Sequence, residues 1–211
     1  MTARLRIYLA GPDVFLANAA EIADAKRDLC GRYDFVGVSP LDNEIDVAGL
    51  SKRDAALRIS AANETMIRDC DLLIANMTPF RSPSADVGTA YEMGFARALG
   101  MPVFGYTNVA GDLLERTRRE LGKSIVERAP GRIEDSFHMA IENFDCIDNL
   151  MLVGAVEGSG AEIVVNAVAD ERRFTDLAAF EECLKFAARH RSRGAIGSDR
   201  PRNKPARTLA R

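Results

Sequence analysis

The sequence is poor in the residue types on which many catalytic and metal sites depend. It contains no tryptophan and only two histidines among 211 residues, so histidine-based acid–base chemistry and a histidine-rich metal site are not favoured. Its four cysteines lie far apart and show no paired spacing: Cys30, Cys70, Cys146 and Cys183. This spacing indicates neither a zinc site nor a disulfide framework, and we expect buried free thiols.

Long hydrophobic segments are also missing. No apolar run approaches the roughly 20 residues that a transmembrane helix requires. The N-terminal MTARLRIYLAG has basic residues before a short apolar segment, but a signal peptide needs a longer apolar region and a small-residue cleavage site. We therefore interpret this segment as a buried strand and expect a cytoplasmic protein without a membrane partner.

Three widespread motifs of nucleotide and ester chemistry are absent. The sequence has no Walker P-loop, no G-x-G-x-x-G after its first apolar segment and no G-x-S-x-G nucleophile elbow. These absences weaken the interpretation of the chain as an NTPase, a dehydrogenase or a hydrolase of the nucleophile-elbow type.

The formal net charge of −3 hides an uneven distribution. Residues 189–211 contain eight Lys or Arg and one Asp, a local charge of +7, so the rest of the chain has 20 basic and 30 acidic residues, or −10. Such an acidic body argues against a nucleic-acid groove. We predict one domain over residues 1–190 and a basic, disordered tail over residues 191–211. We interpret the tail as solvated rather than as an RNA-binding segment.

Apolar segments that suit strands alternate along the chain with segments of helical periodicity. The predicted strands are residues 5–10, 35–38, 72–77, 102–106 and 163–165. The predicted helices are residues 18–32, 51–68, 87–99, 112–121, 137–151 and 175–189, the last capped by Thr175. This order is typical of βαβ units and predicts an α/β fold, a doubly wound parallel sheet with helices on both faces.

Two of these helices have a predicted inward face. The helix at 51–68 is expected to bury Leu57, Ala61, Thr65 or Met66, and Ile67. The helix at 87–99 has an apolar stripe formed by Val87, Tyr91, Phe95, Ala98 and Leu99.

Ligands of such sheets bind at the carboxyl ends of the strands. The loops expected there are residues 11–15, 40–44, 78–88 and 106–108, and all are polar or marked by Gly and Pro. We expect the functional site among these four loops.

Two carboxylates, Asp86 and Glu92, stand where the loop at 78–88 turns into a helix. Glu92 lies one turn into that helix, where the positive end of the helix macrodipole favours the ionised carboxylate. Its same-face neighbours Gly88, Thr89 and Ala96 are small and leave room for a substrate. A surface glutamate that caps or pairs is the structural alternative, and helix capping alone accounts for Asp86.

A pair of carboxylates in one cleft suits glycosyl transfer. One carboxylate attacks the anomeric carbon, and another group handles the proton of the leaving group. A covalent glycosyl-enzyme then forms and is resolved by an acceptor.

Several separated segments resemble the nucleoside 2-deoxyribosyltransferase family. They are residues 7–12 (IYLAGP), 40–43 (PLDN), 71–106 with DVGTAYEMG at 86–94, and 148–151 (DNLM). The set in this order is specific, whereas one segment alone would be weak. The resemblance covers residues 7–152 and implies a flavodoxin-like fold, homo-oligomers built from dimers, and no cofactor.

The resemblance also implies a reaction. Glu92 would attack C1′ of a 2′-deoxynucleoside, form a deoxyribosyl ester and release the base, and a free nucleobase would then take the sugar. Tyr8 would hold Glu92 in position, and Asp86 would contact the substrate and assist protonation of the leaving base. Asn149, supplied by a partner subunit, would bind the sugar 5′-hydroxyl.

Other substrate-binding positions follow from the same resemblance: Gly11, Asp42, Glu44, Asn63 and Gly88. Glu44, just after the PLDN segment, would lie near the edge of the base. The family often has an acid where this chain has Asn63, eight residues before Asp71. Asn63 would therefore hydrogen-bond the base rather than donate a proton.

Two other functions remain open from the sequence. A hydrolase of 2′-deoxynucleoside 5′-monophosphates would use the same Glu92 and a phosphate pocket to which Ser82 and Ser84 contribute. A non-catalytic nucleotide-sensing module would have the same fold but no catalytic activity. The DNLM context of Asn149 favours a free 5′-hydroxyl, and a sensor has little need for an accessible anion at C1′.

Overall fold

The computed structural model describes residues 3–43 and 45–192. Of the tail predicted over residues 191–211, residues 191–192 are the last two of a helix, and residues 193–211 lie outside the described residues, as does Glu44. Within the described ranges, none of the helices has the length and apolar character needed to cross a membrane.

Strands and helices alternate through most of the chain. The strands are β1 (Leu5–Ala10), β2 (Phe35–Val38), β3 (Leu72–Asn76), β4 (Val103–Thr107), β5 (Val126–Ala129), β6 (Arg132–Glu134) and β7 (Val164–Val165). The helices are α1 (Ala19–Arg32), α2 (Lys52–Arg68), α3 (Val87–Ala98), α4 (Leu113–Leu121), α5 (Leu150–Glu157) and α6 (Ala178–Ser192). All five predicted strands are present, within one or two residues of their predicted bounds.

Five parallel strands form the main sheet in the order β2-β1-β3-β4-β7. The helix α3 packs against α2 and α5, and α1 packs against α6. The central strands β3 and β4 are buried along their whole length, as expected for a parallel sheet covered on both faces. The predicted α/β, flavodoxin-like architecture is confirmed. Strand order reverses between β1 and β3, the switch point at which such sheets bind ligands.

The predicted helix at 137–151 is wrong. Residues 137–149 contain no helix, and α5 begins only at Leu150. The Asp135 side chain accepts the backbone N–H groups of Phe137 and Met139, which competes with helical hydrogen bonding. His138 and Asp145 adopt φ values of 63° and 52°, which a right-handed helix does not allow. The antiparallel β5–β6 hairpin before this segment was not predicted.

The last helix begins later than its sequence pattern indicates. The structure starts α6 at Ala178, and Asp176 Oδ1 accepts the Ala178 N–H at 3.0 Å. Thr175 instead closes a turn onto Arg172. The prediction of Thr175 as the cap is therefore wrong, since an aspartate one residue later accepts the free N–H group more effectively.

The predicted inward faces of α2 and α3 are also wrong in part. Val87 is 84% exposed, Tyr91 55% and Leu57 56%. The residues that α3 buries are Thr89, Met93 and Ala96, and α2 buries Ile67. Of the predicted α3 stripe, Phe95 and Leu99 pack partly buried against the core, whereas Val87 and Tyr91 lie on the outer surface.

Candidate active site

The tyrosine of β1 reaches the glutamate of α3 at the switch point. Tyr8 is fully buried and lies in register between Val38 and Leu73 on its two neighbouring strands. Its hydroxyl donates a hydrogen bond to Glu92 Oε1 at 2.7 Å. Among the described residues, the other oxygen, Oε2, accepts no hydrogen bond, so one edge of the carboxylate is held and the other is available.

Burial controls the protonation of Glu92. Glu92 is the sixth residue of α3, beyond the first turn in which the macrodipole acts strongly. Burial raises the pKa of Glu92 to about 7, the Tyr8 hydrogen bond opposes this rise, and the charge of Asp86 adds to it. A pKa of about 7 corrects the expected ready anion, because both protonation states of Glu92 are then populated near pH 7.

Tyr8 remains a hydrogen-bond donor at every physiological pH. Burial, followed by the charge of Glu92 and the hydrogen bond to it, raises the pKa of the Tyr8 phenol far above its ordinary value. A donor fixed beside a carboxylate favours the ionised form of that carboxylate. Tyr8 therefore lowers the pKa that burial would otherwise give Glu92.

Asp86 caps α3, as its position in the sequence indicates. Its Oδ2 accepts the Thr89 N–H at 3.0 Å and the Thr89 hydroxyl at 3.3 Å. The Oδ1 atom accepts no hydrogen bond within the described part of the chain, so capping leaves one oxygen for a ligand. A Cβ atom at Gly88 would lie 3.0 Å from Asp86 Oδ2, so glycine keeps the space beside this carboxylate open.

The first loop contains a buried ion pair that sequence patterns did not reveal. Lys26 contacts Asp13 Oδ2, and Asn76 Nδ2 donates to Asp13 Oδ1 at 2.7 Å. A Cβ atom at Gly11 would meet the Asn76 Cβ at 2.8 Å and Asp13 Oδ2 at 2.9 Å, so the approach of this loop to β3 requires glycine. The one available signal was a lysine on the apolar face of α1, three residues before Leu29.

Structural hydrogen bonds occupy the base-side candidates. Asp42 accepts the Ser39 N–H at 2.8 Å and an Arg27 guanidinium N–H at 2.9 Å. Asn63 Oδ1 accepts from Asn43 Nδ2 at 3.1 Å, which ties the loop to α2. The structure thus places Asp42 and Asn63 on adjacent elements, without a direct contact to Glu92.

Asn149 caps a helix in its own chain. Its side chain accepts the Met151 N–H at 3.0 Å and donates to Glu142 Oε1 at 2.5 Å. The side-chain hydrogen bonds of Asn149 therefore go to α5 and the preceding loop, and among the described residues this side chain makes no hydrogen bond to Glu92 or Asp86.

An aromatic stack joins the loops after β1 and β3. Phe15 and Phe80 stack with centroids 5.3 Å apart and planes inclined by 8°, and Phe174 meets Phe80 edge-on at 6.0 Å. The Arg81 guanidinium lies over both stacked rings, at 4.5 Å from Phe80 and 5.3 Å from Phe15. No sequence motif identified this group, because its members are 65 or more residues apart except at positions 80–81.

The fold and the Tyr8–Glu92–Asp86 geometry define an α/β protein with a carboxylate-based candidate active site at the β1/β3 switch point. The chain belongs to the nucleoside 2-deoxyribosyltransferase family, which it matches over residues 7–151.

Two individual proteins illustrate the relationship. The chain is similar to the 2-desoxiribosyltransferase from Leishmania mexicana, with 30% identity, a TM-score of 0.56, and coverage of 84% of this chain and 97% of that one. It is also 30% identical over 170 residues to an uncharacterized protein of Schizosaccharomyces pombe, covering 76% of this chain and 81% of the relative. These relationships support an enzyme of the nucleoside deoxyribosyltransferase kind.

Proposed function

We propose that this protein is a nucleoside 2-deoxyribosyltransferase that exchanges the base of 2′-deoxynucleosides through a covalent deoxyribosyl–Glu92 ester. The observation that carries the proposal is the 2.7 Å hydrogen bond from Tyr8 to Glu92 at the switch point. A partly buried carboxylate with one oxygen held and the other available suits a positioned nucleophile.

In the first half-reaction, Glu92 Oε2 attacks C1′ of the sugar. The C1′–O bond forms as the C1′–N bond to the base breaks, and the electron pair of that bond leaves with the base nitrogen. Asp86 contacts the substrate and assists protonation of the departing base. A 2′-deoxy sugar lacks an electron-withdrawing 2′-hydroxyl, so its oxocarbenium-like transition state is reached with a simple carboxylate.

In the second half-reaction, a nitrogen of the acceptor base attacks C1′ and the ester bond breaks. The electron pair returns to Glu92 as a carboxylate, which the Tyr8 hydroxyl stabilises through its hydrogen bond. The acceptor gives up its proton, so protons balance over the two halves. The Tyr8 hydroxyl thus stabilises the Glu92 carboxylate both before it attacks C1′ and after the ester bond breaks.

The remaining candidate residues surround this centre. In this proposal Gly11 and Gly88 keep space for the nucleoside, the roles of base-side contacts go to Asp42, Glu44 and Asn63, and no cofactor takes part. Asn149 binds the sugar 5′-hydroxyl in the site of a neighbouring subunit.

A homodimer or larger homo-oligomer is part of the proposal. The exposed apolar side chains Leu57, Val87 and Tyr91 on the adjacent helices α2 and α3 support such an interface. The proposed partners are therefore small nucleosides and bases and further copies of the chain, with neither nucleic acid nor membrane. We further propose a cytoplasmic location and a single domain over residues 1–190.

Hydrolysis of deoxynucleoside 5′-monophosphates finds less support. The Ser84 hydroxyl donates to Asp148 and the Ser82 hydroxyl to the Ser84 carbonyl, so the two serines considered for a phosphate pocket are already engaged.

An assay of base exchange between deoxyinosine and free adenine, run beside base release from dGMP, tests the choice. We expect exchange without monophosphate hydrolysis. Hydrolysis without exchange would contradict the proposal, and ligand binding without any glycosidic cleavage would favour the sensing module.

A further inference from the structure

A second buried ion pair lies behind the loop that leads into α3. Asp148 is 1% exposed and Arg116 is 5% exposed, and Arg116 Nη2 lies 3.4 Å from Asp148 Oδ2. Burying two opposite charges is costly unless hydrogen bonds satisfy the remaining donors and acceptors. The hydrogen-bond partners of Arg116 and Asp148 therefore show which segments of the chain this ion pair connects.

The Asp148 carboxylate connects the α3 loop with Asn149. Its Oδ1 accepts the Ser84 hydroxyl and the Asn149 N–H, the latter at 2.7 Å. Its Oδ2 accepts the Ala85 N–H at 3.1 Å. One carboxylate thus binds the backbone immediately before Asp86 and the backbone of Asn149.

The Arg116 guanidinium fixes the same two segments through their carbonyl groups. Its Nε donates to the Pro83 carbonyl at 2.7 Å, and its Nη2 donates to the Ile147 carbonyl. Its Nη1 donates to the Gly111 carbonyl at 2.7 Å, which anchors the arrangement at the start of α4. The planar, fixed fork of donors on arginine suits such a junction, and a lysine would not reproduce it.

We propose that Asp148 and Arg116 are positioning residues for the proposed reaction, which hold the backbone before Asp86 for the site of their own subunit and the backbone at Asn149 for the site of the neighbouring subunit. The inference rests on the roles that the proposed function gives to those two residues. Neither charge needs to touch the substrate, because each acts through the backbone that carries a substrate-contacting side chain. A misplacement of about 1 Å at a reacting centre lowers a rate by roughly a hundredfold, so this junction affects activity strongly.

The first variant is Asp148→Asn. It keeps the side-chain shape but replaces one acceptor oxygen by an amide donor, which conflicts with the Ala85 N–H or with the Ser84 and Asn149 donors. We expect kcat/KM for base exchange to fall by roughly tenfold to a hundredfold. The matched control is Glu134→Gln, which changes a buried carboxylate paired with Arg132 in the β5–β6 hairpin, and it should retain activity.

A double-mutant cycle separates positioning from general stability. The cycle compares Asp148→Asn, Asn149→Ala and the double variant, each assayed below its melting temperature. If Asp148 acts in part through Asn149, the combined loss in the double variant is smaller than the product of the two single losses. If the loss of activity in the double variant equals the product of the two single losses, the inference that Asp148 acts through Asn149 is wrong.

Hydrogen–deuterium exchange gives a result that does not depend on catalysis. In Asp148→Asn, the amides of residues 82–88 and 147–151 should exchange faster together, and those of residues 126–134 should not change. If Asp148→Asn does not fold, Ser84→Ala removes a single donor to Asp148 and should give a smaller change of the same kind.

The two possible failures are distinguishable. Unchanged exchange in both segments, or a change in only one, would overturn the positioning inference. An inactive wild-type protein with coupled exchange would instead contradict the proposed function.

Discussion

Replacing Tyr8 by phenylalanine removes the hydrogen bond that the Tyr8 hydroxyl donates to Glu92 and leaves the ring in place. A hydrogen bond to a charged, buried group contributes about 1.5–3 kcal/mol. At 1.36 kcal/mol for each pKa unit, its loss should raise the pKa of Glu92 by about one to two units above its present value of about 7.

The expected consequence is a displaced pH profile of base exchange. The kcat/KM of the wild-type protein should rise through about pH 7 as Glu92 ionises. In Tyr8→Phe that rise should move to about pH 8–9, so the ionised fraction at pH 7 falls from about one half to about one tenth or one hundredth. Activity should therefore drop about five- to fiftyfold at pH 7 and recover in part at higher pH.

The chain offers a matched control for this experiment. Tyr106 is also fully buried, and within the described residues its hydroxyl has no hydrogen-bond partner. Tyr106→Phe should leave the pH profile in place. An unchanged acid limb in Tyr8→Phe, or an equal loss at every pH, would refute the account of Tyr8 as the group that tunes Glu92.

Three further predictions concern stability and the helix start. The folded-state pKa of Glu92 is raised from 4.5 to about 7, so the folded state binds more protons than the unfolded state between these values. The free energy of unfolding should therefore fall as pH rises from about 4.5 to 7, by up to about 3 kcal/mol, and Glu92→Gln should flatten this dependence in denaturant titrations at several pH values. Gly11→Ala should lower the unfolding free energy by about 1–3 kcal/mol through overpacking against Asn76, and an unchanged melting temperature would contradict the close approach. Asp86→Ala should cost about 1 kcal/mol because the Thr89 N–H loses its cap, and it should lower base exchange further than this loss of stability explains.

Strong local signals predicted most of the fold. The strands of the main sheet are rich in apolar residues, and the caps Ser51, Asp86 and Asp112 stand at the predicted starts of α2, α3 and α4. These features depend on residues that are close together in the chain, so they can be predicted from the sequence. General rules for βαβ units predicted a parallel sheet with helices on both faces, whereas the flavodoxin-like type was implied by the family resemblance.

Local competition for hydrogen bonds and long-range contacts decided what the sequence did not predict. Helical periodicity at 137–149 is overridden by the side chain of Asp135 and by left-handed residues. The buried charges Asp13, Arg116 and Asp148 look like ordinary surface residues until distant segments enclose them. The pKa of Glu92 likewise depends on burial beneath other elements, whereas the sequence revealed only its place on a helix.

The central claim is that Glu92 forms a covalent bond to the sugar. Mass spectrometry of the intact and proteolysed protein, quenched during incubation with a slowly reacting 2′-deoxynucleoside, tests it directly. We predict an added deoxyribosyl group on the peptide that contains Glu92, absent when Glu92→Gln is treated in the same way. A deoxyribosyl group on another residue, or base exchange that proceeds fully in Glu92→Gln, would contradict the account.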